Sequence, residues 1–263
     1  MIETFQSDIL AGQVAYVAGG SEGINFGIAQ RLSDFGASVA IVSRTPEKVE
    51  QAAKTIDDSG GTAIGIAADV RDYDAIAASI EQTVEKLGKL DIVISGAAGN
   101  FVAPAHKISS NGFKTVMDID LLGTFNVFRA AVEHVGENGA SMIAISAPQS
   151  SNPHPNQAHV CAAKAGVDIL TKSLALEWGQ RGIRVNAIVP GPIDGTVGME
   201  KLTPTPEARQ ALENALPLKR YGTKQEVGDL ALFLCSDAAR YITGAIVPCD
   251  GGILLIGSPS GIG

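Results

Sequence analysis

Two kinds of hydrophobic pattern alternate along the chain. Short apolar runs at 14–18, 38–42, 62–67, 90–94, 140–145, 183–189 and 245–249 are each bounded by polar or turn-forming residues. Short runs with such boundaries predict strands buried on both faces. Between them the apolar positions fall at helical spacing. Ile24, Ile28, Leu32 and Phe35 follow the first run, and Pro46 opens a second helix that ends near 58, before Gly60-Gly61. Further helices are predicted over 73–87, 112–134, 157–179 and 225–235. The stretch 193–217, which holds Thr203-Pro204-Thr205-Pro206, is the least regular.

Strand and helix alternate without an internal repeat, a low-complexity segment or a linker. That order calls for parallel pairing through right-handed crossovers, with helices on both faces. The expected fold class is α/β, a doubly wound parallel sheet of about seven strands, with 1–263 forming a single domain. In such sheets the ligand sits beyond the carboxyl ends of the strands. The loops 19–25, 43–45, 68–70, 95–102, 146–159 and 190–216 are therefore expected to surround one cleft. The first joins strand to helix through Gly19, Gly20 and Gly23. Strand, glycine turn and helix in that order form the phosphate-binding corner of a Rossmann unit. Glycines let backbone N–H groups approach a pyrophosphate, and the helix N-terminus favours its charge. A glycine trio alone would equally serve an ordinary tight turn. The second strand, ending in Ser43-Arg44, adds the next part of a nucleotide pocket.

Charge narrows the partners. Lys and Arg number 20 against 28 Asp and Glu, a net charge of −8. Such a chain is not built for global contact with nucleic acid or an anionic membrane, and an anionic ligand needs a local basic pocket. No long uncharged apolar run or signal peptide is visible. Cys161, Cys235 and Cys249 include no C-x-x-C pair and read as reduced thiols, and the terminal Ser-Pro-Ser-Gly-Ile-Gly holds no targeting tripeptide. A cytoplasmic location is expected from these features. The four histidines show no metal-ligand spacing, so no metal site is expected.

Seven pieces of sequence carry a resemblance: Ala18-Gly19-Gly20-Ser21-Glu22-Gly23-Ile24, Asp69-Val70, the loop after the fourth strand, Lys164-Ala165-Gly166, Ile183-Arg184-Val185-Asn186, Pro190-Gly191-Pro192-Ile193 and Asp250-Gly251-Gly252. In them the chain resembles the short-chain dehydrogenase/reductase family over nearly its full length. Within the family it is most similar to the 2,4-dienoyl-CoA reductases of the peroxisomal type, through Ala97-Ala98-Gly99-Asn100-Phe101, Gly123-Thr124-Phe125-Asn126-Val127, His159 five residues before Lys164, and Gly191-Pro192-Ile193-Asp194-Gly195-Thr196. The resemblance implies a nicotinamide cofactor held by Gly19, Ser21, Glu22, Gly23, Ile24, Ser43, Arg44, Asp69, Val70, Ala97, Ala98, Gly99, Lys164, Pro190, Gly191 and Ile193. It also implies an acyl thioester substrate covered by 194–216, and a homotetramer built through the helices at 112–134 and 157–179.

Departures from the family pattern shape the chemistry. Most members reduce carbonyls with a Tyr-x-x-x-Lys pair, and the tyrosine position here is Val160. The family's serine falls on Ala147 and its helical asparagine on Asp120; only Lys164 remains. With no phenol to protonate an alkoxide, ketone–alcohol interconversion is disfavoured. Hydride addition to a conjugated thioester gives a delocalised dienolate, which needs only hydrogen bonds to its oxygen and a proton source at carbon. The reductases resembled here also lack that tyrosine. Asn25 replaces the last glycine of the usual turn, and Ser95 the first Asn of the loop after the fourth strand.

Each candidate has a plainer alternative. Arg44, where an NAD-specific member would carry an acidic residue nearby, suits the 2′-phosphate of NADP, with Ser43 adding a hydroxyl; otherwise it is an exposed arginine at a helix start. NAD is thus the less expected cofactor. Lys164 would hold the ribose and lend charge to an oxyanion, or be a surface lysine. Asp120 would hold a water that delivers the proton, or form a structural ion pair. Asn100 would donate to the thioester oxygen, or close an Asx turn. His159 would donate to substrate or shuttle a proton, or bind backbone at a helix start. An alcohol or ketone enzyme using His159 in place of tyrosine, and a non-catalytic nucleotide-binding subunit, stay open beside the reductase.

Overall fold

The computed structural model describes residues 5–256. Seven parallel strands, β1 (Val14–Ala18), β2 (Ser38–Ser43), β3 (Thr62–Ala67), β4 (Ile92–Ser95), β5 (Ala140–Ile145), β6 (Ile183–Pro190) and β7 (Ile246–Cys249), form one sheet in the order β3-β2-β1-β4-β5-β6-β7. Every residue of β1, β4 and β5 is buried, because helices cover both faces. Alternate residues feed different cores. Ala15 and Val17 of β1 pack with α1 (Gly23–Asp34) and α2 (Pro46–Asp58), through Ile28, Leu32, Val49 and Ile56. Val14, Tyr16 and Ala18 face the other way, toward α3 (Tyr73–Leu87), where Ile76 and Ile80 pack. Burying side chains such as Ile28 and Leu32 stabilises the fold by roughly 1.5–3 kcal/mol each.

The long helix expected at 112–134 is interrupted. It runs as α4 (Ser110–Met117), a π turn at Asp118–Leu122, then α5 (Gly123–Ala131), with a 3-10 turn at Val132–His134. A π turn admits an extra residue and re-aims the side chains around it. Here it turns Asp120 inward, to 1% exposure. Helix α6 (Ala158–Trp178) crosses nearby.

The region expected to be irregular contains α7 (Val197–Leu202) and α8 (Pro206–Ala215). Thr196 Oγ1 accepts from Met199 N at 3.4 Å, and Thr205 Oγ1 accepts from Ala208 N at 3.2 Å. The Thr-Pro pairs that read as breakers include a helix start: Thr205 caps and Pro206 occupies the first turn. The chain closes with α9 (Lys224–Cys235), opened by a reciprocal cap between Thr223 and Glu226.

Candidate active site

The sheet order reverses between β1 and β4, and the loops beyond those two strands open the cleft. Backbone approach defines its first half. Gly19 N donates to Val42 O at 2.7 Å, lacing the turn to the end of β2. Gly19 has φ +76°, and a Cβ there would lie 2.7 Å from Ala97 N, so the turn admits no side chain. Asn25 is a clamp, not an obstruction: its Nδ2 donates to Gly96 O at 2.7 Å and Gly19 O at 3.3 Å. A Cβ on Gly96 would collide with the Asn25 carboxamide, so Asn25 and the glycine at 96 fit each other.

A cavity of about 290 Å³ opens here, lined by Gly19, Ser21, Glu22, Ser43, Arg44, Asp69, Val70, Ala97 and Ala98. Ser43 Oγ donates to Ser21 Oγ at 2.9 Å. Glu22 is engaged by Lys48 at 2.8 Å, while Arg44 is exposed and has no ion-pair partner among the described residues. Asp69 is bridged by Arg71, whose guanidinium holds its carboxyl below the usual range. Lys48, one turn into α2, is a cavity-lining cation that the sequence reading missed; its spacing from Pro46 was the available signal.

The second half of the cleft is made of side chains. Lys164, 5% exposed, donates from Nζ to Ile145 O at 2.9 Å and lies 3.2 Å from Asp120 Oδ2. Asp120 Oδ1 accepts from Gly99 N at 2.7 Å. The next residue, Asn100, accepts at Oδ1 from Gln157 Nε2 at 3.1 Å, and Gln157 directly precedes α6, which carries Lys164. Three contacts, Gly99–Asp120, Asp120–Lys164 and Gln157–Asn100, close a ring with the chain itself, which joins Gly99 to Asn100 and runs from Gln157 along α6 to Lys164. Val160, in the tyrosine position, is buried with Val116 and Ala163. No tyrosine replaces it: Tyr16 is in the core, bonded to Ser79, Tyr221 bonds to Thr203, and Tyr73 and Tyr241 are exposed.

Beside this ring lies an apolar cavity of about 190 Å³, lined by Ile24, Ala147, Pro190, Gly191, Ile193, Met199, Leu202 and Leu212 among others. Of the expected cofactor residues, Ile24, Pro190, Gly191 and Ile193 thus face this second cavity. Gly23 starts α1, and Gly99 contributes its N–H to Asp120.

His159 departs from expectation. It is fully buried and stacked on Phe101 with ring centroids 4.0 Å apart. Burial holds its pKa below the ordinary histidine range, against opposing pulls from the Phe101 backbone and from Asp120. With no exposed surface, its ring packs against Phe101. The reading also missed Gln157 and Ser146, whose buried Oγ has no partner among the described residues; a glutamine or serine in a loop carries no spacing signal.

The fold and site are those of a nucleotide-dependent oxidoreductase of Rossmann type. A family model described as enoyl-(acyl carrier protein) reductase matches residues 18–254, and the chain belongs to this branch of the short-chain dehydrogenase/reductase family. It is 41% identical over 265 residues to a peroxisomal 2,4-dienoyl-CoA reductase [(3E)-enoyl-CoA-producing] of Arabidopsis thaliana, covering 97% of this chain and 89% of that protein. It is 41% identical over 253 residues to the protein of the same name from Danio rerio, covering 95% and 84%. Among solved structures it is similar to a short chain dehydrogenase of Bacillus anthracis, at 40% identity and TM-score 0.82, covering 92% and 96%. It is also similar to a gluconate 5-dehydrogenase of Burkholderia cenocepacia in complex with NADP and tartrate, at 28% identity and TM-score 0.88, covering 94% and 97%.

These relatives correct the cytoplasmic expectation: proteins named peroxisomal point to the peroxisome instead. An acidic chain with reduced thiols suits either compartment, so composition could not decide, and the terminal residues used for the expectation lie outside the described residues. The family's nicotinamide dinucleotide fits the residues: any Cβ would fill the Gly19 cradle, and the Arg44 guanidinium lines the same cavity with no ion-pair partner among the described residues; the gluconate 5-dehydrogenase neighbour holds NADP. Among the described residues no helix is long and apolar enough to cross a membrane.

Proposed function

We propose that this protein uses NADPH to reduce the conjugated double bonds of a dienoyl thioester such as a 2,4-dienoyl-CoA. The observation that carries the reading is the linked set of Asn100, Asp120, Lys164 and Gln157, with Val160 in the family's tyrosine position on the helix that carries Lys164. When bound, a reduced nicotinamide would supply the hydride to the far end of the conjugated system, and negative charge would spread onto the thioester oxygen. Asn100 Nδ2 donates to that oxygen. Lys164 commits one N–H to Ile145 O and turns its charge toward Asp120, which leaves a donor for the ribose and a positive field at the oxyanion. Asp120 holds the water that protonates the α-carbon, so that the remaining double bond stays one position removed from the thioester. A delocalised anion needs no phenol, which is why an apolar Val160 is compatible with turnover.

Met199, Leu202 and Leu212 of the segment 194–216 cover the acyl chain. The chain works as one domain, and as a homotetramer through α4–α5 and α6, where Phe113, Phe125, Ile169 and Leu176 stay exposed in the monomer. Mixing the protein with NADPH and a dienoyl-CoA tests the activity. Loss of NADPH absorbance, with a 3-enoyl thioester as product, is expected. No loss with dienoyl substrates, or faster turnover of a ketoacyl thioester, refutes it.

A further inference from the structure

Gln157 is a buried carboxamide, 4% exposed, in a loop of otherwise unremarked residues. Its two ends are used in opposite senses. Gln149 Nε2 donates to Gln157 Oε1 at 3.1 Å, and Gln157 Nε2 donates to Asn100 Oδ1 at 3.1 Å. The relay therefore has a direction. It fills the acceptor end of Asn100, an exposed side chain that would otherwise present its oxygen or its nitrogen to the cleft with little preference. Gly99, the residue before Asn100, is tied independently to Asp120. Gln149 and Gln157 also line the apolar cavity, so the relay borders the proposed acyl site.

We infer that Gln157 is a positioning residue: it locks the Asn100 carboxamide with Nδ2 toward the substrate, so the cleft offers a hydrogen-bond donor to the thioester oxygen. This rests on the reading of the site as a thioester reductase. An asparagine turned the other way would set an acceptor against a developing negative charge, and the transition state would lose its donor and meet repulsion.

The test compares Gln157→Leu with Gln157→Glu on the full-length enzyme, using NADPH and a dienoyl-CoA. Leucine removes the lock and leaves Asn100 free to rotate, so kcat should fall about tenfold. Glutamate keeps the size but can only accept, and it draws Asn100 Nδ2 away from the cleft. Its kcat should fall about a hundredfold, as for loss of an oxyanion donor. KM for NADPH should stay within about twofold of wild type in both, since uniform weakening would indicate a general disturbance. In an Asn100→Ala background, Gln157→Glu should add almost nothing. Gln157→Glu as active as wild type, or losses that simply multiply with Asn100→Ala, overturn the inference while leaving the dienoyl reading intact. A wild-type protein inactive on every dienoyl thioester removes both.

Discussion

The two halves of the cleft are built on different principles. The cofactor half is a matter of backbone: Gly19 at positive φ, Gly96 with no room for a Cβ, and a turn hydrogen-bonded to the end of β2. Most of its parts come from the first hundred residues, and several are neighbours in sequence. The reactive half is a matter of side chains from three distant segments, meeting as Asn100, Asp120, Gln157 and Lys164. The first half is therefore rigid by exclusion, since nothing larger fits, and the second is held by hydrogen bonds and one ion pair among its own residues. Damage should differ accordingly: in the cofactor half it should appear as lost binding or stability, in the reactive half as lost turnover with binding retained.

The largest expected effect falls on the reactive half. Lys164→Ala removes the charge proposed to face the oxyanion and leaves buried Asp120 without its ion-pair partner, so kcat should drop about a thousandfold. NADPH affinity by calorimetry should weaken far less; equal losses in both would erase the distinction drawn here. Gly19→Ala probes the other half. Its Cβ collides with the Ala97 backbone at an unfavourable φ, and the protein should lose roughly 2–3 kcal/mol of stability along with NADPH binding. Thermal melts with and without cofactor would measure both, and an alanine variant that binds normally would show that the turn has slack.

Arg44→Ala should raise the Kd for NADPH about tenfold and leave NADH binding almost unchanged, if the proposed charge-assisted contact of Arg44 to the 2′-phosphate is what is lost. Equal effects on the two cofactors would move the 2′-phosphate elsewhere, with Lys48 the next candidate.

The smallest effect concerns the packing between the halves. The folded state lowers the pKa of His159, so the unfolded chain binds more protons there, and stability falls as pH drops through the ordinary histidine range. His159→Phe keeps the stack on Phe101 and removes this loss. Its melting temperature should gain on wild type as the solution is acidified. His154, lowered by burial in the same direction, remains in both proteins and cancels in the comparison. Parallel pH profiles would mean that His159 is not the titrating group.

The chain's own pattern determined the sheet, its strands and the place of the nucleotide. An apolar run buried on both faces, followed by glycines and an amphipathic stretch, has few other solutions, and the missing tyrosine at Val160 was visible as a letter. Tertiary structure alone decided the rest. The π turn that rotates Asp120 inward leaves no mark on helical periodicity, because one extra residue in a turn is a matter of packing. The burial of His159 against Phe101 depends on a loop folding over α6, and the relay from Gln149 reaches Asn100 through Gln157, which lies 57 positions from Asn100. Local propensity fixes what each segment becomes. Which polar atoms meet is set by the closure of loops over the sheet, and no single segment encodes that.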